Sequence, residues 1–227
     1  MFLGHFATAY AAKKLAPRTS LGTLFAAAQL PDFVWPWLLL AGVEHVSIVP
    51  GDTAFTPLRF DSYPISHSLV TIAAMGAAFG AAHFWRKRRA LDALVLTLLP
   101  VGHWVLDFFS HRPDMPLWPG GPRLGLGLWN SVPATITIEL LLFAASLGVA
   151  LSATQSRDRF GRWGFAGLAA FLLVIYAANV TSPPPPSVDA IAWAGAIGSL
   201  VFLVLAVWVD RHRQPKADAA PARRPSS

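Results

Sequence analysis

Eight side chains in this sequence bring a metal-ligating or proton-carrying group into or beside apolar surroundings. They are His5, Asp32, His67, His103, Asp107 and Glu139, with His111 and Asp114 just beyond the apolar stretches. An ionisable group in hydrocarbon is costly and faces a cavity or a partner, so each of these positions needs a physical reason. His103, Asp107 and His111 stand at i, i+4 and i+8, which is one helix face if the helix persists to position 111. A His-x-x-x-Asp pair offers a nitrogen and an oxygen to one ion, and His or Asp from other helices completes the shell. The chain has no cysteine, which excludes a thiolate site and a disulfide framework alike. Imidazole and carboxylate suit a divalent metal, Zn first, with Mn or Fe as alternatives. A catalytic site leaves one position for water, whose pKa the metal lowers. The expected ligands are His5, Asp32, His67, His103 and Asp107, with Asp107 or Asp114 as the expected catalytic general base.

Each residue also has a plainer reading. His5 caps a chain end, Asp32 is the N-cap of a helix over 33–43, and His67 with Ser68 forms a polar boundary pair. His103 and Asp107 lock helices by a hydrogen bond, and Glu139 pairs with an arginine or a histidine. Glu44 and His45 fall in an outer loop, supporting the site or without a role. His83 and His212 sit beside basic runs and read as ordinary.

The elements that must position these residues are membrane helices. Of 227 residues, 54% are hydrophobic and 13% charged, and the mean hydropathy is +0.49. Soluble domains carry roughly 25% charged residues. The expected fold is all-α, a polytopic transmembrane helical bundle with about six spans at 20–43, 68–85, 90–109, 130–153, 163–180 and 188–209. A short re-entrant or hairpin helix over residues 3–17 precedes them. Lys13, Lys14 and Arg18 follow the first apolar stretch, the reverse of a cleaved signal peptide. With the basic turn at 13–18 in the cytoplasm, 15 of the 18 Lys and Arg fall inside, leaving Arg59, Arg112 and Arg123 outside. The net charge of +6 is therefore a topology signal, and no nucleic-acid partner is expected. The division expected is a metal-bearing half at 1–125, accessory helices at 126–209 and a disordered cytoplasmic tail at 210–227.

Height along the helices links the candidates. The stretch from His5 to Pro17 climbs roughly 18 Å and that from Ser20 to Asp32 descends about as far, so a hairpin brings His5 and Asp32 to one depth. Pro31 and Pro36 bracket Asp32, which predicts a break or kink there. His67 opens the second span at its outer end, and His103 and Asp107 lie in the last third of the third. Convergence on the outer side is the economical reading.

Several motifs then align with a family. Gly4-His5, Leu30-Pro31-Asp32, Ser66-His67-Ser68-Leu69, Gly102-His103-(x3)-Asp107 and Pro116-Leu117-Trp118-Pro119 resemble the bacterial predicted membrane-bound metal-dependent hydrolases of the LexA-regulated inner-membrane type. That family is distantly similar to zinc-dependent phospholipase C. The resemblance covers roughly residues 1–120. The chain departs from the pattern where the family has a second Asp and a His, here Val34 and Trp35, and where it has His-Arg-Gly, here Ser62-Tyr63-Pro64. One ion held by the five named residues fits better than a multinuclear site, with His111, Asp114 or Asp61 to compensate. The resemblance implies a hydrolase of the bacterial inner membrane, acting on a membrane lipid or another phosphate ester at its outer face. The alternative is a non-catalytic membrane protein, structural or handling ions or protons. No internal repeat of the kind transporters show is visible.

Overall fold

A computed structural model describes residues 1–218 of the chain. Eight α-helices dominate the described residues: α1 Leu3–Ala12, α2 Leu21–Ala28, α3 Leu30–Leu40, α4 Leu69–Lys87, α5 Ala90–Ser110, α6 Val132–Ala153, α7 Arg159–Thr181 and α8 Val188–Arg211. Four of them, α5 to α8, are long and apolar enough to cross a membrane. The expected spans at 90–109, 130–153, 163–180 and 188–209 correspond to these four.

The other two expected spans take a different form. The stretch 20–43 is two short helices, because Gln29 leaves the helical region at φ −100° and ψ 10° and Pro31 follows with no N–H to donate. The stretch 68–85 is one helix, α4, but it is rich in glycine and alanine and is not among the four. Its small residues serve packing instead. A Cβ on Gly76 would lie 2.5 Å from the Thr97 carbonyl oxygen, and one on Gly80 would lie 2.6 Å from that of Ala93. The backbones of α4 and α5 therefore approach closely along a small-xxx-small face.

The short helix α1 lies at the centre. Leu3, Phe6, Ala9 and Tyr10 are buried, and α1 packs chiefly on α6 with α2 and α5 beside it. The Tyr10 ring sits 5.3 Å from Phe25 of α2, 5.8 Å from Phe143 of α6 and 5.4 Å from Phe165 of α7. Helices α2 and α3 pack on α8. The helices expected to be accessory thus close the core around the site-bearing ones. Outward, α8 presents Ile197, Leu200 and Val204 between the exposed Trp193 and Trp208. Those two indoles are about 22 Å apart along the axis, an arrangement suited to hydrocarbon between two aromatic belts.

Three two-stranded ribbons cap the bundle: β1 (His45–Ile48) with β2 (Leu58–Ser62), β3 (Met115–Pro116) with β4 (Arg123–Leu124), and β5 (Thr154–Ser156) with β6 (Arg213–Pro215). They were not expected of an all-α chain, and they pair backbone groups that loops would leave to solvent. In the first, Val46 faces Phe60 and both are buried. The third revises the tail expected at 210–227. Helix α8 runs to Arg211, β6 pairs with β5 just beyond α6, and a short turn spans Lys216–Asp218. The rest of that stretch, 219–227, lies outside the described residues. Arg213 anchors the ribbon, its guanidinium 4.4 Å from the Phe165 ring centroid and donating to the Gly161 carbonyl at 3.1 Å.

The α4–α5 contact makes a direct prediction. Gly80→Val should destabilise the detergent-purified protein by about 1–3 kcal/mol through overpacking. Gly102→Ala, at a position where an added Cβ meets nothing within 4 Å, should leave the melting temperature unchanged in the same assay.

Candidate metal centre

The centre is assembled from four elements. His103 and Asp107 share one face in the last turns of α5, with His103 Nε2 3.1 Å from Asp107 Oδ2. Helix α1 brings His5 alongside, its Nε2 3.0 Å from Asp107 Oδ1 and its ring 3.4 Å from that of His103. Asp32 lies in the first turn of α3, where the helix dipole favours an anion; the cap position itself belongs to Gln29. His5 Nδ1 stands 3.4 Å from Asp32 Oδ2, so the hairpin places the two at one depth. His67 immediately precedes the Ser68 cap of α4, and its Nε2 is 3.4 Å from Asp32 Oδ1 and 4.0 Å from Asp107 Oδ2. All five expected ligands meet. Two overlapping sets, His5-His103-Asp107 and Asp32-His67-His103, each hold donor atoms within 4.8 Å of one another, and His103 belongs to both.

These residues fit a divalent metal. Tetrahedral bonds of about 2.0–2.1 Å put neighbouring donors about 3.3 Å apart. His103 Nε2 is buried 3.1 Å from Asp107 Oδ2 and 3.7 Å from Asp32 Oδ1 without making a well-directed hydrogen bond to either, the spacing of donors that would share one ion. Its other nitrogen, Nδ1, lies 2.8 Å from the Ala28 carbonyl at the end of α2, so Nδ1 carries the proton and Nε2 is free to ligate. The break between α2 and α3 supplies that carbonyl. His67 is oriented by a longer chain. Its Nδ1 lies 2.7 Å from Ser66 Oγ, which donates to Glu44 Oε2 at 2.5 Å. Glu44 in turn accepts the backbone N–H groups of Ile65 and Ser66 at 2.7 and 2.8 Å. From the sequence Glu44 had no settled role; here it is the buried carboxylate that fixes a ligand's orientation. Nothing in its spacing announces this, since the contact depends on how the chain turns at 63–67.

The remaining candidates surround the centre without joining it. Helix α5 ends at Ser110, and His111 is extended at ψ 152°, so the shared face stops before it. His111 Nε2 is 3.9 Å from Asp107 Oδ1, and its Nδ1 is 2.9 Å from Asp114 Oδ1. Asp114, expected as a base, is one residue removed: it accepts from the Tyr63 hydroxyl at 2.7 Å and from Arg112 Nε at 3.1 Å. Asp61 is held by Ser47 and Arg59 on the first ribbon. Glu139 accepts the Gly4 N–H at 3.2 Å, which pins α1 to α6. Trp35 forms a wall with its ring 6.4 Å from that of His67. The Met1 amino group forms an ion pair with Asp107 and lies 3.2 Å from His5 Nε2. Away from the centre, His212 pairs with Asp158 at 2.8 Å and His83 lies 4.0 Å from Asp92. Among the five ligands, Asp32 alone has an exposed side chain, at 41%, so the centre opens on its side.

Electrostatics outside the helices follow from these contacts. Burial pushes the Asp114 carboxyl up, but hydrogen bonds from His111, Tyr63 and Arg112 outweigh it and hold the acid below its ordinary 3.8. Burial and the neighbouring Asp114 push the Tyr63 phenol well above 10. An acid held low in the folded state stabilises it above the unfolded pKa, and that contribution is lost as pH falls. The melting temperature of Asp114→Asn should therefore fall less than that of wild type as pH drops from 5 to below 3.8, as read by differential scanning fluorimetry. Glu44→Gln should keep the fold while weakening metal binding about 10–100-fold, as measured by chelator competition.

Comparison with protein-family models, with curated proteins and with solved structures finds no match to this chain.

Proposed function

We propose that the chain is a membrane-embedded metal-dependent hydrolase, acting on a lipid or phosphate ester at the outer face of a bacterial inner membrane. The observation that carries this reading is the overlap of two donor sets, His5-His103-Asp107 and Asp32-His67-His103, on the buried Nε2 of His103. A divalent ion bound there, zinc by preference, supplies Lewis acidity and makes water a nucleophile near neutral pH. The residues do the rest. His103 and His67 present Nε2 because Ala28 and the Ser66–Glu44 chain hold their other nitrogens. Asp107 binds between His5 and His103, and Asp32 faces the mouth over which substrate arrives. His111, between Asp107 and Asp114, offers a proton route away from the centre.

The lipid side of the reading rests on a second feature. An apolar cavity of about 330 Å³, lined by Met1, Leu106, Phe109, Leu126, Ile138 and Leu142 among others, opens between α5 and α6 beside the residue whose amino group touches Asp107. It suits an acyl chain, while the ester lies at the cluster. The orientation adopted puts the basic turns inside, with α4 and the α2–α3 pair completing the six crossings. One contact favours the non-catalytic reading: the Met1 amino group already balances the charge of Asp107 without an ion.

The two are separated by one experiment. Detergent-purified wild type should hold about one divalent ion per chain by plasma mass spectrometry, and His103→Ala less than about a tenth of that, since His103 belongs to both donor sets and its loss leaves each with two residues. Loaded wild type should hydrolyse a fluorogenic phospholipid diester, and Asp107→Asn should abolish turnover. Metal-free wild type, or turnover that survives in Asp107→Asn, defeats the hydrolase and leaves the structural role.

A further inference from the structure

At the end of the bundle opposite the metal cluster, a cavity of about 1050 Å³ opens between the α1–α2 turn, the α4–α5 turn, and the third ribbon. Arg89 at its rim and His103 in the cluster are fourteen residues apart in the sequence, about 21 Å along α5, so the two sites are separate. Eight of the nineteen residues lining the cavity are Lys or Arg, and one, Asp210, is acidic. Three of the basic residues are already engaged, Arg89 with Asp92 at 3.6 Å among them. Lys13 is buried against Asp210 at 2.5 Å and the Thr19 carbonyl at 2.8 Å, and Arg213 is buried on Phe165. Others, including Arg86, Lys87, Arg157 and Arg211, have exposed side chains at the rim. His83 lines the same space, and its Nε2 has no hydrogen-bond partner.

A membrane protein collects basic residues on one side for topology alone, but that rule does not gather them round one hollow. Lys14, Arg88, Arg159 and Arg162 lie at the same end and outside the cavity. Concentrated like charges repel, and an anion among them relieves the repulsion. The depth of the cavity indicates which anion. Trp85, 77% exposed, adjoins Arg86 on α4, and Trp163, 71% exposed, stands in the first turns of α7, with Phe160 and Trp208 nearby. Exposed indoles at a basic helix end mark the headgroup level of a bilayer. Ser20 and Thr23 also line it, their hydroxyls 2.7 Å apart so that one donates to the other and the second has a proton to give, while the Thr19 hydroxyl donates to Asp92.

We propose that this cavity binds the phosphate of an anionic phospholipid headgroup. The proposal takes from the functional reading only the membrane setting, and it requires neither a metal nor catalysis. The phosphate sits among the basic side chains, and the acyl chains leave towards the apolar surface beyond Trp85 of α4.

The test is native mass spectrometry of full-length protein in detergent, titrated with phosphatidylglycerol or phosphatidylcholine, in chelator and without it. Wild type should retain phosphatidylglycerol at least about tenfold better than phosphatidylcholine, since several basic side chains favour the lipid with net negative charge. A variant combining Arg86→Gln, Lys87→Gln, Arg157→Gln and Arg211→Gln should fall to the phosphatidylcholine level. One combining Lys14→Gln, Arg88→Gln, Arg159→Gln and Arg162→Gln, equal in charge removed, should keep the preference. The single reversal Arg86→Glu gives the same reading with less perturbation. The proposal is overturned if the two fourfold variants lose binding equally, if wild type shows no preference, or if about 10 mM inorganic phosphate displaces the lipid, which would make this a site for free phosphate. Persistence of the preference in chelator keeps the result independent of the metal cluster.

Discussion

A carboxylate that is almost wholly buried in the bundle sets the terms for everything around it. Asp107 is 2% exposed, and such a charge stays in place only if positive or hydrogen-bonding groups surround it. His5, His103 and the Met1 amino group meet it directly, with His67 and His111 farther out. The path of α1 follows from that requirement. A helix of ten residues, too short to cross a bilayer, runs through the centre of the protein because its first turns carry the groups that answer Asp107. The tight seat of α1 against α6, with Glu139 holding the Gly4 N–H, then fixes where those groups arrive.

Rigidity at the centre comes from the irregular pieces of the chain. The carbonyl that orients His103 belongs to the end of α2, where the chain breaks before Pro31. The carboxylate that orients His67 belongs to Glu44, just after α3, and it holds the backbone at 65–66 as well as the side chain of Ser66. Regular helices bring the ligands to one depth, and the interruptions turn them toward each other. Proline at position 31 and the acid at position 44 thus act on the geometry of the cluster from outside it.

Much of this was legible in the sequence, for physical reasons. Imidazoles and carboxylates in apolar stretches are too costly to be scattered, so their common depth could be computed from helix rise, and His5, Asp32, His67, His103 and Asp107 could be named. The outer pair His111 and Asp114 was less legible, since the face shared with Asp107 depends on where α5 ends. The supporting groups were not legible at all. Glu44, Ala28 and Tyr63 act through tertiary contacts that carry no spacing signal, and a backbone carbonyl has no sequence identity. Of the six expected spans four are long apolar helices, and the other two differ where composition and length diverge, in the glycine-rich α4 and at the α2–α3 break. The ribbon at Arg213 was missed because an Ala-, Pro- and Arg-rich composition resembles that of unstructured chain, while three residues paired on β5 suffice to order it.

The central position of α1 has a consequence for the order of events at the ribosome. Its principal partner, α6, begins at Val132, about 120 residues after α1 ends. At synthesis rates of about 5–20 residues per second, α1 emerges roughly 6–24 s before the surface that covers it exists. In that interval α2 and then α5 can cover part of the helix, and the face meant for α6 stays uncovered. His5 and Asp107 can meet only after α5 has been made, so the last step in building the centre is the burial of a segment made long before.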